Sequence, residues 1–294
     1  MGWDSLTSAP RSDIKENVCF MSYNSRGFSS TTIDFIKHLT SIEVVGNKIP
    51  IISNQENFIL RENSYKIVNA LPGYQVVLNP AVKVDHDTGR PKNGMFIAFP
   101  LSIKNCATDV SPKFWRVQAV TFKFGDSTTL FINSYFPTDT RRANTHSIEL
   151  EETIGHIKNI IDNNEFDSVL WAGDINAEFL RNTSHTKTVH DAVADLNLSK
   201  AWDRFNIDFT HCHEQLGVSH TSILDHFFWS ETLDAGVLDA GVIHLPGNKS
   251  DHSPIYCVIE TQAIQQEVSE AAPRQPQPSW KMASMEDKAE FRSC

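Results

Sequence analysis

Apolar residues in this chain fall into short continuous runs and helical stripes, and polar residues close most of the runs. Val18-Cys19-Phe20-Met21-Ser22-Tyr23, Ile51-Ile52-Ser53-Asn54-Gln55, Val169-Leu170-Trp171-Ala172-Gly173, Ile223 to Trp229 and Ile255 to Ile259 have the length and residue content of strands. Val117–Phe124 and Thr129–Tyr135 predict two more, joined by a turn at Gly125-Asp126. Leu150, Ile154, Ile157 and Ile161 recur at helical spacing and predict an amphipathic helix. Thr31 to Leu39 predicts another, with Ile33, Ile36 and Leu39 on one face, and Val189 to Leu196 a third. Strands with interspersed helices imply an α/β (α+β) fold. The pattern is missing from residues 1–16 and stops again at Gln262, where Gln, Glu, Ala and Pro take over. We therefore expect a flexible N-terminus over 1–16, one domain over 17–261 and a linker or tail over 262–294, in which Trp280 and Phe291 are unusual.

The polar residues that end the runs carry the chemistry. Asn24 follows the first run, Glu56 the second, and Asp174 and Asn176 the strand that ends at Gly173. Asp225 lies inside the run from Ile223, and Ser250-Asp251-His252 precedes the last. Carboxylates brought to strand ends from distant parts of a chain are a way to build a metal-dependent hydrolase. Oxygen donors suit Mg²⁺, with Mn²⁺ as an alternative, and Mg²⁺ binds through few carboxylates plus substrate phosphate oxygens. A histidine whose other ring nitrogen meets a carboxylate is fixed in tautomer and favoured as imidazolium. His211-Cys212-His213 suggests zinc, but alternate strand residues face opposite sides and no second cluster completes a site.

The ordered set Tyr23-Asn24, Gln55-Glu56, Asn133-Ser134-Tyr135, Gly173-Asp174-Ile175-Asn176, Ile223-Leu224-Asp225-His226 and Ser250-Asp251-His252-Ser253-Pro254 resembles the endonuclease/exonuclease/phosphatase superfamily, which has the DNase-I-like fold and also includes apurinic endonucleases. Tyr135-Phe136-Pro137-Thr138-Asp139 and Gly89-Arg90-Pro91-Lys92-Asn93-Gly94 are similar to the endonuclease domain at the front of non-LTR (LINE-type) retrotransposon polyproteins. Two positions depart from the pattern: Ile175 stands where Phe is common, and Asn57 where His or Thr is frequent. The resemblance implies a four-layer sandwich of two packed, mostly antiparallel sheets flanked by helices. It also implies a Mg²⁺-dependent DNA endonuclease whose nick leaves a 3′-hydroxyl. Asn24, Glu56 and Asp251 would serve the metal. Asp174 would orient or deprotonate the attacking water, with Asn176 positioning it. Tyr135 would contact phosphate or stabilise the transition state, His252 would hold a phosphoryl oxygen, and Asp225 would orient His252. Arg141 and Arg142 would contact phosphate, and Ser222, Ser250 and Thr210 would line the site.

Charge and cysteines adjust this picture. A net charge of −10 argues against a nucleic-acid partner. Acidic ligands inflate that count, however, and Arg26, Arg90, Lys92, Arg141, Arg142, Arg181, Lys187 and Lys249 fall near the motifs. The partner expected is DNA, with RNA second, and the protein is expected to be a monomer. Five scattered cysteines read as reduced thiols, which places the chain in the nucleus or cytoplasm. No secretory leader or apolar span of ~18 residues is present, so no membrane partner is expected. The chain has no polymerase motif; a reverse transcriptase would lie downstream in a longer polyprotein. Two other functions share these residues: an apurinic-site repair nuclease or related phosphodiesterase, and a decayed, domesticated copy that binds without cleaving.

Overall fold

A computed structural model describes residues 15–42, 49–83, 89–139 and 143–262. Arg141, Arg142, Trp280 and Phe291 lie outside them.

The first half of the chain runs β1 (Lys15–Asn24), α1 (Ser30–Ser41), β2 (Ile49–Gln55), α2 (Tyr65–Ala70), β3 (Tyr74–Asn79), β4 (Met95–Pro100), β5 (Ala107–Asp109), β6 (Val117–Phe124) and β7 (Ser127–Tyr135). The second runs α3 (Ala143–Asn163), β8 (Ser168–Asp174), α4 (Ser184–Asp195), β9 (Leu198–Lys200), α5 (Ala201–Arg204), β10 (His211–Gln215), β11 (Val218–Ser222), β12 (Asp225–Ser230), α6 (Glu231–Asp234), β13 (Val237–Val242) and β14 (Ile255–Gln262). Two six-stranded sheets form, ordered β13-β14-β1-β2-β4-β3 and β5-β6-β7-β8-β12-β9, beside a β10-β11 ribbon.

The period-2 alternation of strand side chains builds the layers. Val18 and Phe20 of β1 meet Phe131 of β7 and Leu170 of β8 in the core between the sheets. Cys19, Met21 and Tyr23 point the other way, onto Phe35, Ile36 and Leu39 of α1. On the far sheet, Leu130, Ile132 and Trp171 pack under Leu150, Ile154 and Ile157 of α3 and Val189 of α4. The central strands are covered on both faces, which is why they read as continuous apolar runs. The result is the expected four layers. Burying each of these large side chains contributes about 1.5–3 kcal/mol.

Some boundaries differ from expectation. The β1–β14 pairing runs out to Lys15 opposite Gln262, two residues and one residue beyond the predicted domain. Helix α1 buries Thr32, Phe35, Ile36 and Leu39, so Ile33 is off the stripe, and Ser29 caps it by accepting from the Thr32 N–H. Helix α4 begins five residues before Val189 because Thr183 caps it, accepting from Thr186 N at 3.1 Å. The strand predicted from Ile223 starts at Asp225. Ile223 N donates to Glu178, and Leu224 N to Thr210 Oγ1, instead of entering the ladder. No helix among the described residues is long and apolar enough to cross a membrane.

Topology gathers the reactive side chains at one end. Each sheet is antiparallel except for one pair: β1 with β2, and β7 with β8. Those four strands end at Asn24, Gln55, Tyr135 and Asp174. Strand β12 starts at Asp225, paired with Asp174, and β14 starts just after His252. Gly173 is required where this end closes. Its φ is +150°, and a Cβ there would lie 1.9 Å from the Ser134 carbonyl oxygen. We expect Gly173→Ala to destabilise the fold by about 4 kcal/mol or more through backbone displacement. Urea unfolding tests this; a loss below about 1 kcal/mol would show that β7 and β8 can separate freely here.

Candidate active site

Asn24 joins the two sheets. Its amide nitrogen donates to Glu56 Oε2 at 2.9 Å and to Asp174 Oδ2 at 2.8 Å. Its own oxygen accepts from Arg26 N at 3.0 Å. Glu56 Oε1 accepts from the Tyr135 hydroxyl of the other sheet at 2.9 Å, so both Glu56 oxygens are engaged, one of them across the sheet interface. Glu56 sits just past the end of β2 with φ at 53°, a left-handed conformation that Glu rarely adopts. Asn57 and Phe58 lock this turn through N–H bonds to the Gly94 and Asn93 carbonyls.

Asp174 is buried at the end of β8. Its Oδ1 accepts from Asn176 N at 3.1 Å, and Asn176 is held in turn through Nδ2 by the Phe136 carbonyl at 2.9 Å. His252 stands beside it, with Nε2 3.9 Å from Asp174 Oδ2 and Nδ1 2.8 Å from Asp225 Oδ2. Asp225 is anchored by its backbone N–H to Thr210 Oγ1 at 3.0 Å. Ser250 ties the loop down: its hydroxyl donates to the Asn24 carbonyl and accepts from His252 N.

No family model and no curated protein matches this sequence. Solved structures do match. An apurinic endonuclease from Leishmania major superposes with a TM-score of 0.65 at 13% identity, over 83% of this chain and 88% of that one. The endonuclease domain of TRAS1, a telomere-specific non-LTR retrotransposon, gives 0.56 at 15%, over 82% and 98%. A 3′ phosphatase from Neisseria, bound to product DNA hairpin, gives 0.61 at 14%, over 81% and 98%. The chain has the endonuclease/exonuclease/phosphatase (DNase-I-like) fold.

In this fold the strand-end residues meet as a single cluster of oxygens around one histidine. Burial, followed by the Asp225 and Glu56 charges, pushes the Asp174 carboxyl above the usual carboxylate range, against the pull of His252 and the Asn24 hydrogen bond. Burial alone would lower His252; Asp225, then Asp174, overrides it and raises His252 to about 10. Burial and the Glu56 charge drive the Tyr135 hydroxyl upward, so it stays a neutral donor at physiological pH.

This donor set fits a hard divalent cation. Glu56 and Asp174 share one amide, and Asp174 already resists ionisation, so an added cation would relieve the crowding. Asp251 belongs to a neighbouring group. It pairs with Arg26, lies 3.4 Å from His211 Nε2, and is held below the usual carboxylate range, because those partners and His252 outweigh the effect of burial. Its Oδ1 is buried and makes no hydrogen bond, which leaves one acceptor available to a cation. Asn24 presents its amide hydrogens to the carboxylates; as a metal ligand it would need the amide turned to exchange oxygen and nitrogen. Ser222 touches His211 Nδ1 at 3.3 Å, not the carboxylate pair.

Four residues contribute through contacts that the sequence does not show. His211 has no apparent partner within its His-Cys-His motif, yet a bridge between β10 and the final loop places it against His252 and Asp251. Gln55 and Asn133 form a fully buried link between the sheets, Gln55 Nε2 to Asn133 Oδ1 at 2.5 Å, which fixes Glu56 against Tyr135. Arg116 holds the Tyr135 carbonyl and pairs with Glu149 at 2.7 Å. Gln55 and Asn133 fall within the motifs Gln55-Glu56 and Asn133-Ser134-Tyr135, and His211 within His211-Cys212-His213, but their partners are distant in sequence.

Proposed function

We propose that this protein is a divalent-cation-dependent phosphodiesterase that nicks DNA, of the non-LTR retrotransposon endonuclease type. The observation that carries the proposal is the Asn24 amide linking Glu56 to Asp174 beside the Asp225–His252 pair. Glu56, with Asp251 and a turned Asn24, would hold Mg²⁺ or Mn²⁺, which supplies positive charge against the phosphate when bound. Asp174, fixed by Asn24 and Asn176, orients the attacking water and takes its proton. His252, charged and aimed by Asp225, donates from Nε2 to a phosphoryl oxygen as negative charge grows there. Tyr135 donates from its neutral hydroxyl and keeps Glu56 in place. Arg26 and Arg90 provide positive charge at the mouth: Arg90 bonds the Arg26 carbonyl and covers the Phe58 ring at 3.5 Å. Arg141 and Arg142, which lie outside the described residues, are proposed as phosphate contacts from their sequence position alone.

Support comes from three sides. The site chemistry suits phosphate esters, the structural neighbours include two endonucleases and a DNA-bound 3′ phosphatase, and two sequence motifs resemble retrotransposon endonucleases. Supercoiled plasmid incubated with Mg²⁺ should become nicked, with 3′ ends that a polymerase extends, and EDTA should stop it. Absence of nicking with both Mg²⁺ and Mn²⁺ overturns the proposal. Oligonucleotides with and without an abasic site should be cut at similar rates; a strict abasic requirement would instead make the protein a repair nuclease.

A further inference from the structure

A second cluster of ligand-type side chains lies outside the carboxylate site. Asp139, in the loop after β7, His146, near the start of α3, and His185, in the first turn of α4, each bring one donor atom within 4.8 Å of the others. His185 is buried, His146 half-buried and Asp139 exposed. His146 Nε2 and His185 Nδ1 are 3.0 Å apart. The other ring nitrogen of His185 faces the Ile175 carbonyl at 3.4 Å. That carbonyl accepts a hydrogen bond and donates none, so the His185 hydrogen sits on Nε2 and the Nδ1 lone pair faces His146. Metal-bound histidines are oriented this way, with the second N–H given to a backbone carbonyl.

We propose that Asp139, His146 and His185 form a site for a borderline transition-metal ion of the zinc class, separate from the Mg²⁺-type carboxylate site. The donor types decide the class. Two imidazoles and one carboxylate suit zinc, whereas the Asn24, Glu56 and Asp174 group offers oxygen to a hard ion. The spacing agrees: two nitrogens bound tetrahedrally at ~2.0–2.1 Å lie about 3.3 Å apart, close to the separation already present. Asp139 is the solvent-exposed member of the three. The ligands come from a loop and two helices, so the ion would clip α3 and the β7 loop to α4. His185 also touches the residue after Asp174, and in sequence Arg141 and Arg142 lie between two of the ligands.

Cobalt(II) is the probe, because tetrahedral cobalt absorbs in the visible and takes zinc sites. Full-length protein stripped by chelator should bind one equivalent with that spectrum. Excess Mg²⁺ should leave the band in place, and stoichiometric Zn²⁺ should remove it. His146→Gln keeps an amide donor for His185 and sits where the helix is half-exposed, so the fold survives; Asp139→Asn is milder still. Each should weaken cobalt binding on the order of tenfold or more. His211→Ala, in the separate His211–Asp251–His252 group, should keep the band. A wild-type protein without the band, a band unchanged in both His146→Gln and Asp139→Asn, or a band lost in His211→Ala overturns the assignment. None of these readouts depends on nuclease activity.

Discussion

Glu56→Gln should abolish most Mg²⁺-dependent nicking while the protein stays folded. The carboxylate accepts on both oxygens, from Tyr135 and from Asn24. Glutamine keeps the shape but has one acceptor, so its amide hydrogens must face a group that also donates. The substitution also removes a charge from a cation that takes few protein ligands. We expect a loss on the order of a hundredfold at limiting Mg²⁺, partly recovered at high Mg²⁺. Stability should move the other way. Glu56 adds to the negative charge that raises Asp174, so removing it relieves repulsion between neighbouring carboxylates. In EDTA, Glu56→Gln should therefore unfold at the same urea concentration as wild type or a higher one. Wild-type nicking at limiting Mg²⁺ removes Glu56 from the metal site. Lost activity together with a lower unfolding midpoint makes it a structural residue of its left-handed turn.

Much of the fold and site is legible in the sequence because the central strands are buried on both faces, and a doubly buried strand writes itself as an apolar run. The residue that ends such a run stands at the edge of the sandwich. Asn24, Glu56, Asp174 and His252 therefore stand out from their positions in the chain alone. The pairing of two six-stranded sheets is not in the periodicity, which is silent on strand order; the family resemblance supplies it. What stays hidden depends on contacts between distant residues. His211 becomes part of the site only through its bridge to His252, and Gln55 through Asn133 on the other sheet. Asp139, His146 and His185 meet only because α3 and α4 pack on one face of the second sheet. The apolar run puts Asp225 inside a strand, yet it begins one, because Thr210 captures the N–H groups that would have extended the ladder. The left-handed turn at Glu56 has no sequence mark at all; glycine or asparagine would have shown it.

Asp225→Asn and His252→Ala should each reduce nicking by about 10³-fold or more, and the double variant should be little worse than either. Both residues are buried and bonded at 2.8 Å, and Asp225 contributes the largest of the influences that raise His252. Once one is lost, the other has no remaining part in aiming charge at the phosphate, so the losses overlap. The pH profile separates this from a packing defect. His252 stays charged to about 10 in the wild type, so activity should persist well above the ordinary histidine value of ~6.5 and fall towards 10. Without the Asp225 charge, burial regains weight and the basic limb should move to lower pH. Stability follows the same sign. Raised above its unfolded value, His252 contributes stability that is complete below ~6.5 and is lost as pH rises through its folded value. Breaking a buried pair costs about 3–5 kcal/mol, so Asp225→Asn should be most destabilising at and just below about pH 6.5 and differ less from wild type above about pH 10. If the two losses multiply and the basic limb does not move, Asp225 serves the strand start it shares with Thr210, and His252 takes its charge from Asp174 alone.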